Sequence, residues 1–290
     1  MLQILLNGII AGAIYALVAA GFALVYSTAR FVHFAHGAIV AGGAYALFFF
    51  FERLAIGFWP AAVLAIAVAA LLGWVCNELV YKPLRHRGAT PLILLLAGFA
   101  LLVLIESLLL LIFGADVKVI RVLPVERGMD FFGAIITPLQ VVIVVVAALL
   151  LVGLHAFMSF TRLGRSLRAV ASNKVVAQIR GISVEATYAK AFLLASAIAG
   201  VAGILVGMEY NLEPTMGTSL VIKGFTGAIV GGVDSVPGAI LGALLLGVAE
   251  NVAAWYLPSG YKDAVAFVLL FLFLLFKPNG IMGSNKGARK

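Results

Sequence analysis

The chain has 290 residues, of which 64% are hydrophobic and 11% charged, with a net charge of +8. Soluble domains carry about a quarter charged residues, so this composition excludes an ordinary soluble enzyme or binding module. The bases sit in short loops between apolar runs, which points to membrane topology and away from nucleic acid, and a single cysteine, Cys76, excludes an intrachain disulfide.

The apolar runs approach the length of about 20 residues that a helix needs to cross hydrocarbon, and they lack the alternation of outer-membrane barrels. They predict an all-α polytopic membrane protein with spans over residues 3–26, 34–51, 58–81, 91–113, 138–158, 187–207, a Gly-rich pair 219–233 and 238–256, and 261–276. That makes about eight or nine transmembrane helices, depending on whether the Gly-rich pair crosses twice or forms a broken, re-entrant element. Leu2 to Tyr26 carries no charge and exceeds the about 7–15 apolar residues of a signal peptide, so it reads as a retained span. Asn7 and Tyr15 lie on one face of it and are candidates for a water-filled translocation path.

"HFAHGAIVAGGAY" begins the second span. His33 and His36 have no nearby cysteine or carboxylate, which makes a poor metal site. His36 with Gly37 reads as a polar start to the span and a path candidate, while Gly42 and Gly43 admit a neighbouring helix. Glu106 falls in the fourth span and Glu250 in the Gly-rich pair. A carboxylate at mid-membrane costs on the order of 3 kcal/mol, so neither should face lipid. Glu106 is assigned structural or gate contacts, and Glu250 with Asn251 is placed on the path.

Arg30, the group Lys82, Arg85 and Arg87, the stretch Arg162 to Arg180 and the tail Lys277 to Lys290 belong on the cytoplasmic side by the positive-inside rule. The amino terminus is then outside and the carboxyl terminus cytoplasmic. The loop Gly114 to Thr137, where Asp116, Glu126 and Asp130 offset the bases, faces out.

Thr161 to Ser183 is the most basic stretch. Arg165, Arg168, Ser172 and Lys174 alternate with Leu163, Leu167, Val170, Val175, Val176 and Ile179 at helical spacing, predicting one amphipathic helix that Gly181 ends. It is either an interfacial helix held by anionic lipid or a helix that docks on a partner through the small residues Ala169, Ala171, Ser172 and Ala177.

"GAIVGGVDSVPGAILGALLLG" contains Gly224, Gly227, Gly231, Gly232, Gly238, Gly242 and Gly247 with Pro237. Interior glycines each weaken a helix by about 1 kcal/mol, so this region belongs inside the bundle. Two readings stand: close packing of the Gly238-x-x-x-Gly242 type, or a discontinuous helix whose backbone near Gly231 and Gly232 meets a substrate carboxylate. Asp234 is placed to cap the following turn or to face cytoplasmic water. Asp263, beside Lys262 at the outer end of the last span, is placed to pair locally or to meet a soluble binding protein. The chain has no phosphate-loop motif and no cluster suited to nucleophilic or metal chemistry, so no catalytic residue, metal or cofactor is assigned to it.

Four ordered segments carry a resemblance: "LNGIIAGAIYALVAAGFALVYSTARFVHFAHGAIVAGGAY", "RLGRSLRAVASNKVVAQIRGISV", "GFTGAIVGGVDSVPGAILGALLLGVAEN" and "YKDAVAFVLLFLFLLFKPNGIMG". Together they resemble the branched-chain amino acid permeases of ABC importers, of the LivH type. The resemblance implies a single permease domain over residues 1–290, with a cytoplasmic coupling loop at 161–183. In that loop Arg168, Ala169, Ser172, Asn173, Val176, Ala177 and Gly181 would meet an ATPase. The path candidates are Asn7, Tyr15, His36, Gly231, Gly232, Glu250 and Asn251. Implied partners are a homologous second permease, two ATP-binding subunits that hold ATP and Mg, and a periplasmic or extracellular solute-binding protein, assembled with lipid in a bacterial inner membrane. The implied cargo is branched-chain amino acids, with urea or short amides as the alternative. From the residues alone, an ion-coupled secondary transporter is the rival reading. Two departures stand out: Ser172-Asn173-Lys174 replaces the acidic start of the family's Glu-Ala-Ala loop, and His33 replaces an asparagine.

Overall fold

A computed structural model describes residues 1–120, 122, 128–131 and 133–283. Glu126 and the tail residues Lys286, Arg289 and Lys290 lie outside the described residues. Every predicted apolar run is a helix. These are α1 (Leu2–Ala29), α2 (Ala35–Phe48), α3 (Phe58–Val75), α5 (Pro91–Phe113), α6 (Pro138–Phe160), α9 (Val184–Glu209), α10 (Met216–Gly231), α11 (Val236–Tyr256) and α12 (Lys262–Phe276). Shorter helices α4 (Lys82–His86), α7 (Arg162–Ser172) and α8 (Lys174–Ile179) lie in the connections. Among the described residues, seven helical stretches are long and apolar enough to cross a membrane. The 16 residues of α10 reach about 24 Å, less than the about 30 Å of a hydrocarbon core.

Two compact units divide the chain: residues 1–23, 123–151 and 222–290, and residues 24–122 and 152–221. In the first, α11 packs antiparallel to the start of α1. A side-chain carbon on Gly8 would meet Val248 Cα at 2.7 Å, and one on Gly12 would meet Leu244 Cα at 3.0 Å. The Gly-rich pair is a tight hairpin of two unbroken helices. A Cβ on Gly227 would meet Ala243 at 2.7 Å, and one on Gly231 would meet the Gly238 carbonyl at 1.7 Å. The turn uses Gly232 at φ +110, a conformation that suits glycine. Ser235, not Asp234, caps α11 by accepting from Gly238 N at 3.2 Å. Ile281 N and Met282 N donate to the Val230 and Gly231 carbonyls, which satisfies the open end of α10.

The connection between α5 and α6 also holds a short antiparallel hairpin, β1 (Met129–Phe131) and β2 (Ala134–Ile136). The turn is tied by Asp130, whose carboxylate accepts from Gly133 N at 2.8 Å. Gln3 then binds both backbone groups of Ile135, at 2.7 and 3.0 Å.

In the second unit α2 and α3 both run antiparallel to α9. The α2–α9 approach is through Gly43 against Gly200 and Gly203 against Val40, and the α3–α9 approach is through Gly73 against Ser196. The third apolar run continues helically to His86, passing through a π-turn at Cys76–Tyr81 just before Pro83, whose missing N–H and ring disturb the ladder of the preceding turn. Leu111 and Val152 are exposed apolar side chains on helices long and apolar enough to cross a membrane.

Candidate functional site

Glu250 on α11 is 1% exposed, which obliges the fold to supply partners. Tyr15 of α1 donates its hydroxyl to Glu250 Oε2 at 2.9 Å. Lys223 of α10 lies 3.5 Å from the same oxygen, 3.1 Å from the Tyr15 hydroxyl and 3.1 Å from Asp263 Oδ1. Exposure rises along this chain of charges, from 1% at Glu250 through 15% at Lys223 to 65% at Asp263. Glu250 Oε1 is buried with no hydrogen-bond partner among the described residues. Two carboxylates thus share one ammonium, in a row leading from an exposed residue into the unit.

Of the predicted path residues, the structure brings Tyr15 and Glu250 together. Asn251 bonds back to its own helix, at Gly247 O (2.9 Å), and Asn7 is exposed and accepts from Gln3. Gly231 and Gly232 are spent on the hairpin contact and turn, which favours the close-packing reading over a discontinuous helix with open backbone: the Gly232 N–H already donates to the Ala228 carbonyl at 2.8 Å. His36 belongs to the second unit. It is fully buried, its ring 6.0 Å from that of His33. His33 Nδ1 is 2.8 Å from the Tyr81 hydroxyl, and burial, with a smaller contribution from His36, holds His33 well below the ordinary histidine value. Glu106 takes a structural place, accepting from Thr218 N and Oγ1 at 2.9 Å each and capping the start of α10. Sequence reading missed Lys223. Its signal is a lone base within an apolar, Gly-rich helix that also has an unexplained buried acid nearby in sequence.

The loop at 161–183 differs from prediction. It is not one helix but two, α7 and α8, broken at Asn173, whose backbone is extended (φ −157, ψ 109). The Asn173 side chain accepts from Val175 N and Val176 N at 2.9 and 3.1 Å, so it starts a new helix where the apolar pattern alone would have continued the old one. Leu167 and Val170 on α7 are buried, whereas Val175, Val176 and Ile179 on α8 are 52 to 80% exposed.

Ala177 turns inward and packs with Val170, Val184 and Tyr188, so its side chain does not present itself to a partner. Ala169 is half-buried at the edge of that cluster. Ser172 and Asn173 are exposed, and Arg168 is exposed with its guanidinium on the Ser159 carbonyl at 3.2 Å. Gly181 sits at φ +79 just past α8. Among the described residues no group of three His, Cys, Asp or Glu could hold a metal ion.

Residues 4–274 match the family described as the branched-chain amino acid transport system permease component. The high-affinity branched-chain amino acid transport system permease protein BraD of Pseudomonas aeruginosa is 38% identical over 97% of this chain and 95% of its own. The corresponding LivH protein of Escherichia coli is 35% identical over 97% and 95%. A probable LivH permease of Methanocaldococcus jannaschii is 30% identical over 97% and 92%. Among solved structures, PsaBC from Streptococcus pneumoniae in complex with Fab shares the fold at a TM-score of 0.51, with 12% identity, covering 94% of this chain and 91% of that one.

Proposed function

We propose, from the premise that the chain belongs to the branched-chain amino acid transport permease family, that it carries branched-chain amino acids inward as cargo of an ABC importer. It is a multi-pass inner-membrane permease component, non-catalytic itself, that works with other ABC components. The finer assembly we assign to it is a homologous second permease, two ATP-binding subunits that hold ATP and Mg, and an external solute-binding protein. We place the amino terminus outside and the loop at 161–183 and the carboxyl terminus in the cytoplasm.

The observation that carries the coupling role is α8 itself. A capped six-residue helix presents Val175, Val176 and Ile179 outward, while Ala177 on its opposite face packs on Val184 and Tyr188 at the start of α9. An ATPase groove closing on the outer face would therefore push directly on a spanning helix, because close-packed interiors transmit displacement. Arg168, Ala169, Ser172, Asn173 and Gly181 shape the two ends of this device. Tyr15, Lys223, Glu250 and Asp263 are the polar groups we assign to the path. Glu106 and Glu250 alone would also suit an ion-coupled transporter, but here Glu106 accepts from Thr218 and Glu250 is paired with Lys223.

The test is uptake by proteoliposomes carrying the assembled complex and its binding protein. Leucine uptake that needs ATP, and that disappears together with ATPase association in Val176→Asp/Ile179→Asp, supports the reading. Uptake driven by an ion gradient without ATP would overturn the coupling role, and uptake of urea or short amides but not leucine would overturn the cargo.

A further inference from the structure

Within the second unit, Ala177 of α8 packs on Val184 and Tyr188 at the start of α9. What those first turns of α9 hold in their turn decides which other span follows a displacement of α8. Glu185, Tyr188 and Phe192 recur at spacings of three and four, so they share one face of α9 at its start. All three meet the end of the helical run from Phe58 to His86.

Arg85 makes most of that contact. It donates to the Glu185 carboxylate from Nε at 3.2 Å and from Nη2 at 2.6 Å, and its guanidinium lies 4.8 Å above the Tyr188 ring. Nη2 also donates to Asn77 Oδ1 at 3.0 Å, inside its own helical run. One turn before Arg85, the Tyr81 ring lies 5.4 Å from that of Phe192.

Neither the start of α9 nor the stability of the fold accounts for this arginine. Ser183 already caps α9 by accepting from Ala186 N at 3.4 Å, and Glu185 in the first turn suits the positive end of the helix by itself. The two charged side chains are only 11% and 32% exposed, so desolvation offsets much of their attraction. What the arrangement supplies is geometry: a planar guanidinium that forks onto a carboxylate and stacks on a ring is held in one place, as an ammonium on a flexible stem would not be.

That place lies beyond a joint. The same two helices meet again about 18 Å further along α9, where Ser196 packs against Gly73. Between Gly73 and Arg85 falls the π-turn Cys76–Tyr81, an interruption of the regular ladder of the kind that gathers at functional sites. The part before the π-turn is thus fixed to α9 at Gly73, and the part after it is tied to the start of α9 through Arg85.

We infer that Arg85 is a positioning residue for transport: through Glu185 and Tyr188 it passes a displacement of α8 from the start of α9 into the end of the run Phe58–His86. Two spanning helices then follow the short helix instead of one. This rests on the coupling role proposed above for α8. Tyr188 is the shared part, because it touches both the Ala177 cluster and the Arg85 guanidinium. Without the tie, motion of α8 ends at α9, and ATP is hydrolysed with less cargo moved.

The experiment measures leucine uptake and ATP hydrolysis together, in proteoliposomes carrying the assembled complex and its binding protein. Arg85→Gln and Glu185→Gln should each keep the ATPase subunits and lower the leucine moved per ATP hydrolysed by about 2- to 30-fold, the range for residues lying between coupled sites. The double variant should fall no further than the singles, because all three lose the same tie. Tyr188→Phe, which keeps the ring, should keep the ratio. Should Arg85→Gln fail to assemble, Glu185→Gln reads the same contact from its more exposed side. An unchanged ratio in assembled variants, even with a lowered thermal midpoint, would overturn the inference and leave Arg85 a structural residue. Loss of the ATPase subunits from the variants would also overturn it, by giving Arg85 to the docking surface, and additive falls in the double variant would overturn the pairing. Wild type without ATP-dependent leucine uptake would overturn the coupling reading and this inference together, whereas wild type and variants that couple equally overturn this inference alone.

Discussion

Lys223→Met tests the charged row in the first unit most directly. It strands two carboxylates, but unequally: Asp263 is 65% exposed and returns to water, whereas Glu250 is 1% exposed and keeps only the Tyr15 hydroxyl. Glu250 therefore sets the cost. Removing one partner of a buried pair destabilises by about 3–5 kcal/mol because a buried charge is left uncompensated. For a chain of this size that corresponds to a fall on the order of 10 °C in thermal midpoint. Replacing both partners, as Lys223→Met/Glu250→Leu, removes the stranded charge along with its counter-charge, and stability should return to within about 1 kcal/mol of wild type or exceed it. The assay is a double-mutant cycle of thermal midpoints in detergent, with leucine uptake measured on the same four proteins. If the row serves the path, the double variant is stable yet transports poorly. A Lys223→Met midpoint within a degree or two of wild type, or a double variant as unstable as the single one, would refute the argument from burial.

Gly203→Ala should deprive the second unit of its α2–α9 approach, since the new carbon would sit 2.1 Å from the Val40 carbonyl, and detergent-stable protein should be lost; Gly153→Ala, with nothing within 4 Å, should be neutral or stabilise by about 1 kcal/mol, and equal behaviour of the two in size-exclusion profiles would contradict the packing assignment. Asn173→Ala removes the acceptor of Val175 N and Val176 N and should cost about 1 kcal/mol, fraying α8 and weakening ATPase co-purification, whereas Asn173→Ser should retain both. His33 is buried and held well below the ordinary histidine value, so between that value and its lowered folded one the unfolded chain binds a proton that the folded chain does not. Stability contributed by neutral His33 is therefore complete above about pH 6.5 and declines as pH falls through that window. His33→Asn should flatten the decline in thermal midpoint, and an unchanged slope would remove His33 as its source.

The helices were legible because hydrocarbon selects for long apolar runs, and nine such runs are nine helices in the structure. The break at Asn173 was not. Leu163, Leu167 and Val170 before it and Val175, Val176 and Ile179 after it each repeat at helical spacing, and nothing in that pattern records that the Asn173 carboxamide competes for the next turn's N–H groups. The apolar residues after the break, Val175, Val176 and Ile179, face outward, and Ala177, expected at a docking surface, lies in the core. The glycines of α10 and α11 were legible as a departure from ordinary helices, but their use was not. Choosing between open backbone and close packing needs the register of two helices, which only the tertiary contacts of Gly227, Gly231 and Gly242 supply.

That register also explains why Glu250 finds its partners. Side chains on a helix lean toward its amino terminus. In the antiparallel pair formed by α1 and α11, Tyr15 leans toward Gly12 and Glu250 leans toward Gly247, so the two lean toward each other across the glycine crossing. Gly8, Gly12 and Gly247 bring the backbones close enough for a tyrosine and a glutamate many residues apart to meet. The same closeness excludes water from Glu250 and makes Lys223 necessary. Small residues and buried charges in these helices are thus two parts of one arrangement: the glycines create the dry contact, and the dry contact gives the charge row its energetic weight.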